Sequence, residues 1–520
     1  MACDILLLSP WSEPVTVSPG YQLIRRELAE CAGELTRSRL DTYLQRYAST
    51  AARVTDVARF WDQFLYSSLA PYCPGLLSLA AALEAEGFSV ACACLDVERE
   101  RDAYAGGDWL ERTLARLCDG VRLAVGVTSV TPEFDRAVTV LETVKRLRPN
   151  LRTLIGGTHV TYLDEEPARH PAIDVVVRGE GEAIACEIAR RWRDVLPIDD
   201  VKGVTVFHEG RIVRNASPPL INLKTAPIPA YHLIDEFSRD RVKLTPTYTR
   251  GCPYGCSYCV ESIFFERRVR HKDPVRFVDE LEIIAERFGW RGIHIADSTF
   301  GIDRKATAAL CDELEKRRLN ALFSINVRPN LFSYLGEELV ARLVSLGFVE
   351  FYLGAETADD DLIKALQRRQ SFGELMDCLT RLKALGVPFV KLYLMVGIPG
   401  DTHEGLQKTI NSVRLMIRED LIFYATAKFF VPTPGTEPYA QFQVPEGPGQ
   451  AGSWSRYERY NYPPWYPHDE LTPMDLDHYL CLIQSVQLRE YLGKLGRKPS
   501  EMTSRARDWA AEAYLKKQYM

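Results

Sequence analysis

The chain has 520 residues, room for about three to four ordinary domains or two large ones, and is 46% hydrophobic and 26% charged, so neither a lone small binding module nor a disordered chain fits. Lys and Arg number 64 against 70 Asp and Glu, a net charge of −6, and without a basic field to gather phosphate backbones nucleic acid is not expected as a partner. No charged region precedes the apolar run near the start, no apolar stretch reaches the ~18 residues of a membrane span, and 13 cysteines, an odd count, read as thiols; a cytoplasmic chain with no membrane partner is expected.

In chain order, residues 4–8 (DILLL) read as a buried strand, Leu76, Leu77, Leu79, Ala80 and Leu83 as one face of a helix ending at Gly87, and residues 89–95 as the next strand. Residues 123–127 (LAVGV), a helix carrying Phe134, Val138, Leu141 and Val144, and strands at 153–155 and 174–177 continue the alternation, which predicts a doubly wound, Rossmann-like parallel sheet. Residues 10–74 are far longer than a usual connection and read as a mostly helical insertion. GVTVFHEGRIVRN (203–215) predicts a hairpin, and the Pro-rich residues 217–232 a linker. A second strand and helix series follows from 245 through KLYLMVGIPG, and a Pro-, Trp- and Tyr-rich stretch then leads to a helical end. The expected division is a first domain over 1–220, a linker over 221–244, a second α/β domain over 245–437 and a C-terminal part over 438–520.

RGCPYGCSYC places Cys252, Cys256 and Cys259 in a CxxxCxxC spacing after an extended segment. Three thiolates on one loop can hold three corners of a cubane iron–sulfur cluster and leave one iron open to a small molecule. Structural zinc, the alternative, usually takes four protein ligands, and no second cysteine pair of suitable spacing is present.

This triplet, with Tyr258 before its last cysteine, resembles the signature of radical S-adenosylmethionine (SAM) enzymes. The resemblance implies a partial (β/α)6 barrel, a [4Fe-4S] cluster, SAM on its open iron, and an external electron donor such as flavodoxin or ferredoxin. IHIADSTF (293–300) stands where the family's second strand meets the SAM amino group, with Asp297 in place of the usual glycine-rich version. FSINVRP (323–329) and YLGAETADDDLIKAL (352–366) are similar to the fourth and fifth strands, implying Arg328 for the carboxylate and Glu356 for the ribose. LYLMVGIPGDT (392–402) is similar to the sixth-strand element that receives adenine, at Gly397 and Ile398. Read locally, Glu356 is also a good helix-start carboxylate and Gly397 a turn glycine.

The first domain lacks GxGxxG, so it has no dinucleotide phosphate loop. Small and hydroxyl residues stand instead at three strand ends, Thr128 and Ser129, Gly156 and Gly157, and Gly179, Glu180 and Gly181, where an open α/β sheet binds ligands. Those loops, ahead of CxxxCxxC, resemble the cobalamin (B12) domain of cobalamin-dependent radical SAM enzymes, although the DxHxxG motif is missing; His159 is expected near the corrin or its tail. The family implies a 5′-deoxyadenosyl radical that takes hydrogen from an unactivated carbon of a small natural-product intermediate, which then receives the methyl of methylcobalamin. A cyclase or rearrangement enzyme on the same cofactors, a methylthiotransferase and a zinc scaffold are the other readings. The aromatic segment WSRYERYNYPPWYPHDE (454–470) reads as a loop packed on a surface, with lining of the substrate chamber as the other reading.

Overall fold

The computed structural model describes residues 2–12, 19–47, 70–102, 108–442, 454–457, 468 and 470–497. Its first sheet contains β1 (Cys3–Ser9), β2 (Val90–Cys94), β3 (Val121–Thr128), β4 (Arg152–Gly156), β5 (Val175–Val177), β6 (Val204–His208) and β7 (Arg211–Arg214), in the order β2-β1-β3-β4-β5-β6-β7. β1 to β5 are parallel and the β6–β7 hairpin adds antiparallel to the β5 edge. The order reverses between β1 and β3, the switch point at which ligands bind such sheets. β1, with its ILLL run, and β5 (VVV) are apolar and buried on both faces, as parallel strands covered by helices require.

The second sheet has β8 (Gly292–Ile295), β9 (Leu322–Val327), β10 (Phe348–Glu356), β11 (Phe389–Val396) and β12 (Tyr424–Phe429), all parallel and in sequence order. The cysteine loop follows the two-residue strand Thr249–Arg250, which precedes β8. Counted from there, FSINV is the third strand of the series, the strand bearing Glu356 the fourth and LYLMV the fifth. The expected numbering was one too high, and the sixth strand is YATAKF, whose mixed Ala, Thr and Lys content hides its alternation.

The long insertion contains helix α1 (Pro19–Arg46), which packs against the second sheet's core. Tyr21, Ile24, Leu28, Leu40 and Tyr43 are buried there, beside Leu480, Leu488 and Tyr491 of α4 (Pro473–Lys494). α1 and α4 thus cover the open edge of the partial barrel at β12. Two further helices position the first sheet's ligand edge, α2 (Pro74–Ala85) and α3 (Gly181–Arg193). No described helix is long and apolar enough to cross a membrane.

Candidate cofactor and active site

Two cavities share part of a wall, the first lying between the two sheets and the second within the second α/β domain. The first, of about 310 Å³, is walled on one side by Thr128, Gly156, Gly157, Gly179, Glu180 and Gly181 from the ends of β3, β4 and β5, and on the other by Thr247, Arg250, Phe264 and Phe265. Gly157 has φ +110°, and a Cβ there would stand 2.3 Å from the Ser129 carbonyl oxygen, so only glycine allows this close turn. Such a wall of bare backbone fits a large flat ligand. Ser129 itself is fully buried, its amide donating to Gly156 and its carbonyl accepting from His159, so it shapes the loop without facing the cavity.

His159 does not face the cavity either. It is 1% exposed, packed 4.2 Å from the Phe134 ring and 4.7 Å from Trp454, with Nδ1 3.3 Å from Thr131 Oγ1. Burial pushes it down to about 3, so it is a neutral core side chain. The expected place near a corrin is corrected: His159 sits in the five-residue helix Thr158–Tyr162, and its ring packs against Phe134 and Trp454 in the first sheet's core. Trp454 and Tyr457 pack in this same core, while Tyr460, Tyr462, Trp465 and Tyr466 lie outside the described residues.

Glu180 lines the first cavity, but its carboxylate accepts from Arg250 at 2.9 Å, from Arg270 at 2.8 and 3.0 Å, and from the Ile221 amide at 3.0 Å. Burial opposes its charge and the two guanidiniums outweigh burial, holding the carboxyl below its usual range. Glu182 adds a second contact to Arg250 at 2.7 Å. These pairs tie the start of α3 to the hairpin that carries the cysteine loop.

The second cavity, of about 350 Å³, has Cys252, Cys256 and Cys259 on one wall and Arg328, Glu356, Arg368 and Lys428 among its other lining groups. All three thiols are free. Burial pushes Cys259 up to about 11, so taking iron there releases a proton. Among the described residues no group of three or more His, Cys, Asp or Glu side chains is placed to hold a single metal ion. Arg328 stacks 3.8 Å from the Tyr254 ring centre and donates to Cys256 Sγ at 3.5 Å, placing a fixed cation beside the thiols. Glu356 ends β10 at a bulge with φ +63°. Its Oε1 accepts from Tyr258 at 3.1 Å and from Arg368 at 2.5 Å, and a Cβ at Gly354 would run into both members of that ion pair. A non-glycine residue held this way is strain retained by surrounding contacts.

Asp297 is placed otherwise than expected. It is fully buried, with Oδ1 accepting from the Tyr248 and Thr249 amides at 2.7 and 2.9 Å and Oδ2 from Thr249 Oγ1 at 2.7 Å. Its carboxylate anchors the strand before the cysteine loop and does not open to the cavity. The neighbouring Ser298 and Thr299 do, Thr299 Oγ1 lying 3.6 Å from Cys252 Sγ. Gly397 and Ile398 sit behind the wall, their amides donating to Asp401 at 3.0 and 3.2 Å, and Met395 with Phe429, Phe430 and Val431 forms the surface there. Arg368 was missed because it stands in a charged turn, RRQ, that reads locally as solvated; nothing short of the tertiary contact reveals it.

Both cavities share Glu261 and Ser298, and the Ser298 hydroxyl donates to Glu261 Oε2 at 2.7 Å. The family model for the B12 binding domain matches residues 71–189, and that for the Radical SAM superfamily matches residues 247–413. The chain belongs to the cobalamin-dependent radical SAM enzymes. The cofactors of such an enzyme are a [4Fe-4S] cluster, SAM and cobalamin, and the thiol wall and the bare-backbone wall fit the first and the last.

Among relatives of this radical SAM chain is an uncharacterized methyltransferase, PH0819, of Pyrococcus horikoshii, 29% identical over 318 residues, covering 60% of this chain and 67% of the relative. Another is an anaerobic magnesium-protoporphyrin IX monomethyl ester cyclase of Rubrivivax gelatinosus, 27% identical over 301 residues, 56% of this chain and 54% of the cyclase. The fold matches that of the radical SAM methyltransferase TsrM from Kitasatospora setae, solved with cobalamin and a [4Fe-4S] cluster, at TM-score 0.63 and 18% identity over 94% of this chain and 89% of that one. It also matches OxsB, a cobalamin-dependent radical enzyme solved with aqua-cobalamin and SAM, at TM-score 0.60 and 15% identity over 79% of this chain and 52% of that one.

Proposed function

We propose that this enzyme transfers a methyl group from methylcobalamin to an unactivated carbon of a small natural-product intermediate. The observation that carries the reading is the pair of cavities with Glu261 and Ser298 as common wall, since a methyl donor and a hydrogen-abstracting centre must face one substrate. When bound, the cluster with SAM supplies radical hydrogen abstraction and the corrin supplies the methyl.

The chain's own part is placement. Cys252, Cys256 and Cys259 hold iron, Arg328 offsets their negative charge, and the Tyr258, Glu356 and Arg368 group offers SAM a carboxylate and a hydroxyl in fixed positions. The glycines at the ends of β4 and β5 bring backbone to the corrin, and the aromatic rim at Phe264 and Phe265 excludes water. A cytoplasmic location, with flavodoxin or ferredoxin as the electron donor, completes the reading.

Anaerobic reconstitution with iron, sulfide and hydroxocobalamin, then SAM and reductant, is expected to give a brown protein that retains corrin absorbance and forms 5′-deoxyadenosine. A product one CH₂ heavier supports methyl transfer, and an unmethylated cyclised or rearranged product supports the cyclase reading that some relatives' names favour. A colourless protein that forms no 5′-deoxyadenosine overturns both. Cys252→Ala is expected to lose the brown chromophore and keep the corrin.

A further inference from the structure

The outer side of the cysteine loop carries cations that the two cavities do not use. Cys252 and Cys256 are buried, while Pro253 between them is exposed, so the loop itself is the cover between thiols and solvent. Two turns flank it. One follows the short helix Val260–Phe264, and in it the Arg267 guanidinium lies over Gly255, 3.4 Å from where a Cβ there would stand. The other is joined to the loop by the Ser257 amide, which donates to the Leu366 carbonyl at 3.1 Å, and by buried Arg368, which donates to Tyr258 and Glu356.

Arg267 and Arg369 stand at sharp reversals of these turns, with φ +55° and +49°. Both are exposed, and neither has a carboxylate partner among the described residues. The acids in reach of the turns are engaged elsewhere, Glu266 with Arg268 at 3.7 Å and Glu437 with Gln367 at 3.1 Å. Ile263, 38% exposed, adds an apolar side chain beside them. On a chain of net charge −6, an acidic partner is repelled by most of the surface and collected where unpaired cations stand.

We propose that this face, centred on Gly255 and bounded by Arg267 and Arg369, docks an acidic one-electron carrier protein and is where the electron enters. The inference rests on the radical reading under Proposed function, which calls for an external donor, and it names the surface that donor meets. The carrier is oxidised by one electron and the cluster reduced by one, and no bond forms or breaks at the contact. Side-chain charges at the rim steer and orient the carrier, and the backbone at Gly255, next to Cys256, is the thin point in the cover. A contact of this kind is small and transient, so its strength should fall with salt.

The probes are oxidised flavodoxin and, in a second arm, oxidised ferredoxin, each titrated calorimetrically into the reconstituted full chain at low and at high salt. At least one is expected to bind at low salt and to weaken about tenfold or more at high salt. Arg267→Glu and Arg369→Glu should each weaken it about fivefold or more, whereas Arg211→Glu, the same charge change at an exposed site on the first sheet's hairpin, should alter it less than about twofold. All three variants should keep the brown chromophore and the wild-type unfolding temperature. 5′-Deoxyadenosine formed with the reduced carrier should fall in the same order, while reduced methyl viologen, a small cationic donor, should support every variant at least as well as the wild type. Binding of neither carrier, equal loss in Arg211→Glu, or unchanged binding in the Arg267→Glu, Arg369→Glu double variant overturns the proposal. Loss of 5′-deoxyadenosine with methyl viologen in Arg267→Glu assigns that arginine to the cluster and overturns it too. Arginine-dependent carrier binding by a protein that forms no 5′-deoxyadenosine with any reductant keeps the docking face and overturns the radical reading instead.

Discussion

Asp297 and Gly157 show how single residues shape the two sites, one by anchoring a strand and the other by letting the backbone turn closely. Burial lifts the Asp297 carboxyl to about 7 from an ordinary 3.8. Between those values the unfolded chain is ionised at this position while the folded protein keeps the proton, so stability falls as pH rises through that window, by up to about 1.4 kcal/mol per pH unit. Asp297→Asn removes that slope. Denaturant unfolding of both proteins at about pH 5 and about pH 7 should show the wild type losing about 2 kcal/mol relative to the variant between the two. Gly157→Ala puts a methyl 2.3 Å from a carbonyl oxygen at φ +110°, and is expected to cost about 2 kcal/mol or more and to lower corrin retention on gel filtration.

Helix α1 is inserted in the first sheet's sequence and buried against the second sheet's core. Its Tyr43 hydroxyl donates to the Val344 carbonyl at 2.5 Å in a buried setting, and Tyr47 reaches the Leu385 carbonyl at 2.7 Å. Tyr43→Phe leaves the Val344 carbonyl without that donor, so the unfolding free energy should drop by about 1–2 kcal/mol while corrin absorbance on the purified protein stays unchanged. β12 was missed for a different reason: YATAKF mixes an inner polar face with small residues, so neither an apolar run nor a clean alternation marks it.

The two domains meet through Glu180, Glu182, Arg250 and Arg270, an ion cluster in which the Glu180 side chain is 5% exposed. Removing one member of a buried cluster leaves its partners charged and unpaired, worth about 3 kcal/mol. Glu180→Ala should therefore lower unfolding stability by about that amount and, because the Arg250 end leads directly into Cys252, reduce both cluster content and corrin retention. Loss of only one of the two would separate the domains' dependence on this joint.

Strand and helix alternation, the CxxxCxxC loop and the glycine-bearing strand ends are local patterns, so the chain order of a B12-type sheet and a radical SAM sheet was legible from the amino acids alone, as were the three thiols. Which carboxylates are spent on anchoring, as at Asp297 and Glu180, and which histidine is buried in a core, as at His159, depended on partners far away in the chain. The same holds for Arg368 on Tyr258, for α1 on the barrel and for Ser298 on Glu261. A side chain's role follows from the donors, charges and walls that other elements bring to it, and those meet only once the sheets are docked.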